Sequence, residues 1–242
     1  MAKHLCIDIG NTRMKFGLFA QEELLDAKIF LNQDEQKIQT YLTNQSAGNI
    51  IYSKVMDRLP DILEAFFGTQ TRVIELNHQT PIPISNHYLT PQTLGKDRLA
   101  AVIGAYALFP GEHCLIIDAG TCITYDFLDA QGHYWGGNIS PGLQMRLDAM
   151  HHFTAKLPRP ELKIQPNWLG NNTESALQNG AYYGLFLEIE GFIQKVKEKY
   201  KPVNVLLTGG DADFFAKNLK SQIFVNQNLV LIGLNKTLIY NA

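Results

Sequence analysis

The sequence predicts an α/β chain built as two related halves, and three observations carry that reading. The first is Asp8-Ile9-Gly10-Asn11-Thr12-Arg13-Met14-Lys15, a polar turn between two apolar, partly alternating segments at 4–7 and 14–19, the pattern of a β-hairpin. The second is its repetition at 115–127, where an apolar strand runs into Asp118-Ala119-Gly120-Thr121 and an alternating strand follows. The third is the order of the segments between them, β-β-β-α-β-α-β. Each half is expected to bring one acidic hairpin to a common cleft.

A carboxylate at the end of a strand, followed by Gly, Asn and Thr, offers an anion for Mg²⁺, close backbone approach, amide donors and a hydroxyl. Those are the parts that hold a nucleotide's phosphates, and no Walker-type loop competes for the task. Taken singly, the same run also suits an ordinary hairpin turn in which Asp and Asn satisfy local donors. The second copy favours the nucleotide.

With 242 residues, 45% of them hydrophobic, the chain can bury a substantial core as one large or two small domains. Its net charge of -2 is spread along the chain, which leaves no basic footprint for nucleic acid and no polybasic membrane patch. Cys6, Cys114 and Cys122 lie in or beside strand-like runs without Cys-x-x-Cys spacing, arguing against disulfides and a zinc site. The chain enters a strand without a signal peptide, and its longest apolar run, 99–109, is too short for a bilayer, so a cytoplasmic protein is expected.

Taken in order, residues 23–31 read as a third strand and 33–44 as a polar helix. Residues 49–53 are strand-like, 59–67 helical with Pro60 in the first turn, and 71–76 a strand. The proline-punctuated stretch 77–91 predicts an irregular connection, after which Thr93-Leu94-Gly95-Lys96-Asp97-Arg98 opens a helix ending at Phe109-Pro110-Gly111. The second half turns at 129–132, continues to Ser140-Pro141-Gly142, and gives a short helix to about His152. A second irregular link at 154–172 precedes the longest helix, which starts at Thr173 and buries Leu185, Phe186, Ile189, Phe192, Ile193, Val196 and Tyr200. The strand 203–207 then runs into Thr208-Gly209-Gly210-Asp211. Those paired glycines either let a flat ligand lie against the backbone or make a tight strand-to-helix turn.

Together these residues resemble the type III pantothenate kinases, within the actin, sugar-kinase and chaperone ATPase superfamily. The resemblance spans nearly the whole chain. It rests on 8–15, on Tyr88 with 93–98, on 118–121, on Gly136-Gly137-Asn138-Ile139-Ser140-Pro141-Gly142, on Asn172-Thr173 and on 208–211. It implies a duplicated ribonuclease-H-like, actin-like ATPase fold: two mixed sheets with flanking helices, divided at 1–111 and 112–242, with ATP in the cleft between the halves. It further implies a homodimer that phosphorylates the primary hydroxyl of pantothenate, the first committed step towards coenzyme A, with Mg²⁺ and a monovalent cation, K⁺ or NH₄⁺. Departures are small: Cys122 where the family more often has Ala, Lys96 at a variable place, and Asn171 for a basic residue.

The resemblance also distributes roles. Asp8, Ile9, Gly10, Asn11, Thr12, Arg13, Met14, Lys15 and Thr121 are expected at ATP, with Asp8 on Mg²⁺ directly or through water and Asp118 on the monovalent cation. Tyr88, Gly95, Lys96, Asp97, Arg98 and Thr173 are expected at pantothenate, with Asp97 as general base and Arg98 pairing with the substrate carboxylate through two parallel hydrogen bonds. Each has a plainer alternative: a solvated strand residue for Lys15, a helix cap for Asp97 and for Thr173 or Asn172, ordinary packing for Tyr88. The seven histidines form no metal-binding pattern and read as structural or surface residues. Two other functions remain open to the sequence: a kinase for another small alcohol, and a nucleotide-gated interaction protein of the Bvg accessory factor type.

Overall fold

The computed structural model describes residues 3–45, 47–68, 72–163 and 167–242. The chain opens with β1 (Lys3–Ile9) and β2 (Arg13–Ala20), an antiparallel hairpin whose register sets Asp8 opposite Lys15. Next come β3 (Glu23–Leu31), α1 (Glu35–Thr43), β4 (Asn49–Lys54), α2 (Asp61–Phe67) and β5 (Val73–Glu75). The sheet order is β3-β2-β1-β4-β5, antiparallel on the hairpin side and parallel beyond β1, hence mixed. Pro60 is the N-cap of α2 rather than part of its first turn. Thr71, in the strand expected over 71–76, lies outside the described residues.

Strand alternation assigns the two faces of this sheet. Leu5, Ile7 and Ile9 join Met14, Phe16, Ile38, Leu42 and Leu63 in one fully apolar core beneath α1 and α2. His4, Cys6 and Asp8 therefore point to the opposite face. That face is covered by helices added later in the chain.

The expected irregular stretch 77–91 contains one short strand, β6 (Ser85–Asn86), and α3 (Lys96–Leu108) follows. Two residues are too few to show a period, and β6 exists only because His133 and Tyr134 pair with it in parallel. The second sheet contains β7 (His113–Ala119), β8 (Cys122–Leu128) and β9 (His133–Pro141); α4 (Leu143–His152) and α5 (Thr173–Lys199) lead to β10 (Val203–Thr208), and α6 (Ala212–Ala216), β11 (Phe224–Val225) and α7 (Leu229–Tyr240) complete the chain. Residues 164–166, in the expected link 154–172, lie outside the description.

The second sheet runs β11-β10-β7-β8-β9-β6. Read from β9 to β11, it repeats the strand order of the first sheet, and β10 and β11 are parallel additions to β7 as β4 and β5 are to β1. Leu115, Ile117 and Ala119 pack with Leu185, Ile189 and Ile193 of α5 and Phe215 of α6. Each leucine, isoleucine or phenylalanine side chain so removed from water contributes about 1.5–3 kcal/mol.

By packing, the chain forms two compact units, one of residues 1–112, 128–136 and 228–242, the other of 113–127 and 137–227. This is a different division from the two sequence halves. The difference lies chiefly in α7, which has no local signal, because Leu229-Val230-Leu231-Ile232-Gly233-Leu234 is apolar without helical period. Inside the first unit α7 crosses α3 at two glycines. A Cβ on Gly104 would lie 2.2 Å from Leu229 O, and one on Gly233 would lie 1.8 Å from Ala100 O, so only glycine permits this approach. His4 Nδ1 and Asn235 Oδ1, 2.9 Å apart, join α7 to the face of β1 that also carries Asp8.

Candidate active site

In the first unit the turn of residues 10–12 is closed by the Gly10 N–H donating to Arg13 O at 2.9 Å. Asn32 Nδ2 donates to both Gly10 O and Asn11 O at 3.0 Å, and its own N–H donates to Thr12 O. One residue just past β3 thus ties off three carbonyls of the turn, two with its side chain and one with its backbone. Asn11, Thr12 and Arg13 are exposed, whereas the side chains of Ile9 and Met14 are buried in the core and offer a ligand only backbone.

Asp8 sits at the end of β1 with Ser53 Oγ donating to its Oδ1 at 2.9 Å. Burial, with the charge of Asp97 adding to it, pushes the Asp8 carboxyl up to about 6, against the opposing pull of Ser53 and Lys15. Asp8 and Asp97 are therefore electrostatic neighbours. Two carboxylates this close repel when both are ionised, and a cation between or beside them relieves that repulsion, so the pair fits a divalent metal.

Asp97 lies in the first turn of α3, whose N-cap is Gly95, a residue with no side chain to cap with. Its Oδ1 accepts the Arg98 N–H at 2.9 Å, satisfying one of the open donors of the helix start. The reading of Asp97 as N-cap is thereby corrected to a first-turn residue. A Cβ on Gly95 would come within 2.6 Å of that same oxygen.

Arg98 is 6% exposed, and its Cζ stands 5.6 Å from the centroid of the Tyr88 ring. Tyr88 lies parallel to Tyr134, with centroids 6.2 Å apart, and against Gly136, whose φ of +98° disfavours a side chain and where a Cβ would come within 3.0 Å of the Tyr88 ring. Gly95, Asp97, Arg98 and Tyr88 are thus brought together. Lys96 is not aimed at a ligand: its Nζ donates to Leu94 O at 2.9 Å, and burial lowers its pKa.

In the second unit, Asp118 ends β7 as Asp8 ends β1. A Cβ on Gly209, at φ +95°, would come within 2.4 Å of Asp118 Oδ1 and 2.5 Å of Ala119 O, so the turn 208–211 lies directly on this hairpin. Asp211 N donates to Ala119 O at 2.9 Å. Of the two readings of the paired glycines, the tight strand-to-helix turn is present. Thr208 is the register partner of Asp118 and, with Val205 and Leu207 in the core, faces the same way. Thr208 is 1% exposed, and its Oγ1 has no hydrogen-bond partner among the described residues. A carboxylate beside an unsatisfied hydroxyl is an all-oxygen donor set that fits a hard cation.

Thr121 is exposed at the tip of the Asp118 hairpin. Thr173 is exposed at the first position of α5, and the capping role belongs to Asn172, which accepts from Ser175 N at 2.9 Å in a reciprocal capping box. The sequence gives no sign of Ser53 or Asn32, and it marks Thr208 only as part of the 208–211 turn, without a role. Parallel register brings Ser53 to Asp8 and Thr208 to Asp118, and the β2–β3 pairing brings Asn32 to the 10–12 carbonyls; such long-range pairing leaves no local signal.

The architecture is that of actin-like sugar kinases. It is similar to an inorganic polyphosphate/ATP-glucomannokinase from Arthrobacter (TM-score 0.52, 14% identity, all of both chains). It is also similar to a Campylobacter jejuni protein described as a Baf-family transcriptional activator (TM-score 0.62, 24% identity, 98% of both chains). At these identities the likeness is one of fold.

Sequence relatives narrow the class. The family profile for type III pantothenate kinase matches residues 4–195. Type III pantothenate kinases of Bacteroides fragilis and Cytophaga hutchinsonii are 43% and 42% identical to the chain, covering 98% of both sequences in the first case and 99% of this chain and 100% of the relative in the second. The chain belongs to the type III pantothenate kinase family.

Proposed function

We propose that this protein transfers the γ-phosphoryl group of ATP to the primary hydroxyl of pantothenate, yielding phosphopantothenate and ADP for coenzyme A synthesis. Family membership supports the reaction. The observation that carries it at the level of residues is the pairing of Asp8 with Asp97, one at a phosphate-type hairpin and the other at the start of a helix beside Arg98 and Tyr88.

Phosphoryl transfer asks mainly for positioning and charge neutralisation. The amides of Asn11 and Thr12 and the Lys15 ammonium cradle phosphates, with Gly10 allowing close backbone approach, Arg13 at the turn's edge and Thr121 as a further ATP contact. Asp8 holds Mg²⁺, directly or through water, and Asp118 with Thr208 Oγ1 holds K⁺ or NH₄⁺. When bound, these cations neutralise phosphate charge. Asp97 Oδ1 is engaged by the Arg98 amide, so Oδ2 takes the hydroxyl proton as the substrate oxygen bonds to the γ-phosphorus and the bond to the bridging oxygen of ADP breaks. Arg98 meets the pantothenate carboxylate, and Tyr88, Gly95, Thr173 and the backbone of Lys96, whose ammonium is held by Leu94 O, complete the acceptor contacts. We further assign the enzyme to the cytoplasm as a homodimer, in keeping with soluble substrates.

The deciding experiment measures ADP production with and without pantothenate, in potassium and then in sodium buffer. Turnover that requires pantothenate and is higher in potassium is expected. ADP release indifferent to pantothenate, or equal turnover with other small alcohols, would remove the assignment.

A further inference from the structure

The segment 140–142 has no role in the scheme above, yet it is fastened to the Asp118 hairpin from two sides. From the front, Gly142 N donates to Thr121 O at 3.0 Å, and a Cβ on Gly142 would come within 2.4 Å of that oxygen and 2.5 Å of Gly120 O. From behind, Arg146 on α4 turns its guanidinium back on the same segment. Its Nε donates to Pro141 O at 2.9 Å, and its Nη2 donates to Ser140 Oγ at 2.9 Å and Glu188 Oε2 at 2.5 Å.

The other oxygen of Glu188 accepts the Tyr125 hydroxyl at 2.8 Å, and Tyr125 lies on β8, the second strand of the hairpin that carries Thr121. The Tyr125 ring stacks on Phe192, one helical turn from Glu188, at 4.2 Å between centroids. The contacts form a circuit that returns to its start: Thr121, Gly142, Pro141, Arg146, Glu188, Tyr125 and back along β8. The Arg146 and Glu188 side chains are only 20% and 24% exposed, so neither charge is well solvated without the other. Burial alone would raise the Glu188 carboxyl, yet hydrogen bonds from Arg146, Ser140 and Tyr125 hold it below its ordinary value, and the pair is ionised.

We propose that Arg146 and Glu188 are positioning residues for the nucleotide side of the reaction, clamping the 140–142 turn against Gly120 and Thr121 and so fixing the Asp118 hairpin. The proposal rests on the kinase reading given above. It requires arginine at this position, because one planar fork reaches a carbonyl, a hydroxyl and a carboxylate at once, and a lysine ammonium on a flexible stem cannot reproduce that spread.

The test is steady-state kinetics of the full chain with ATP, K⁺ and pantothenate varied separately, on wild type, Arg146→Met, Arg146→Lys and Tyr125→Phe. Arg146→Met is expected to raise the KM for ATP and the K⁺ concentration for half-activation about 10-fold, while the KM for pantothenate stays within about 2-fold. Arg146→Lys should recover little of this, and Tyr125→Phe, which removes one oxygen, should shift the same two constants about 2- to 3-fold. A purely structural role lowers the active fraction, and with it kcat, while leaving both constants unchanged; that result overturns the proposal. Should Arg146→Met fail to fold, Tyr125→Phe alone decides on the same criterion. Wild type lacking pantothenate-dependent turnover defeats the kinase reading and the clamp with it, whereas active wild type with unshifted variants defeats the clamp alone.

Discussion

Ser53 Oγ donates to Asp8 Oδ1 at 2.9 Å, across the parallel pairing of β1 with β4 in which the two residues are register partners. The bond favours the charged carboxylate, but it is outweighed. Burial and the neighbouring Asp97 leave Asp8 with a pKa of about 6 instead of 3.8, so the protein without its ligands carries an anion at a cost.

That cost predicts a pH signature. Because the folded pKa lies above the unfolded one, the native state binds the extra proton, and stability falls as pH rises from about 4 to about 6, by on the order of 3 kcal/mol. Asp8→Asn keeps an oxygen for Ser53 and has no charge to bury. Melting curves should show the variant matching wild type near pH 4 and exceeding it at pH 7, while its kinase activity is lost. Equal melting temperatures at both pH values would refute the burial of Asp8 as a charge.

Asp97→Asn should lower kcat by about 10²- to 10⁴-fold, the range for loss of a general base, with ATP affinity unchanged within about 3-fold. It has a second, independent readout. Removing the Asp97 charge takes away one of the causes of the raised Asp8 pKa, so the Asp8 titration followed by carboxyl NMR should move to lower pH.

The acceptor side can be perturbed without touching a charged group. Gly136→Ala places a methyl 3.0 Å from the Tyr88 ring at φ +98°, forcing the ring to shift. A rise of about 10-fold in KM for pantothenate is expected, with the KM for ATP little changed. Arg98→Lys should act in the same direction, because it gives up the planar fork beside Tyr88.

Gly209→Ala would put a Cβ 2.4 Å from Asp118 Oδ1 and 2.5 Å from Ala119 O, with φ at +95°. Backbone strain and the forced displacement together should cost about 3 kcal/mol or more by chemical denaturation. Any folded fraction should respond less to K⁺ than wild type does.

Much of this was legible in the sequence because both hairpins announce themselves locally, as an apolar run broken by Asp-x-Gly. The start of α3 and the stripe of α5 are legible for the same reason, since Gly95 and the i, i+4 spacing are short-range signals. What escaped depends on partners far along the chain. Ser53 is recognisable only once β4 lies parallel to β1, and β6 only once β9 is present. The face of α7 is buried nearly all round, so its residues lack the contrast of polar and apolar sides that marks a surface helix. Asn32 and Arg146 look like ordinary polar residues until the carbonyls they reach are known.

The crossing of α3 and α7 bears on synthesis as well as on stability. The helix that begins with Gly95-Lys96-Asp97-Arg98 is sealed by residues 228–242, which leave the ribosome only after the whole second sheet has been made. Until then the apolar flank of α3 around Ala100 and Gly104 lacks its cover, and the nascent first unit is exposed to misassociation. Asp97, the proposed general base, is therefore translated well before the helix that seals α3.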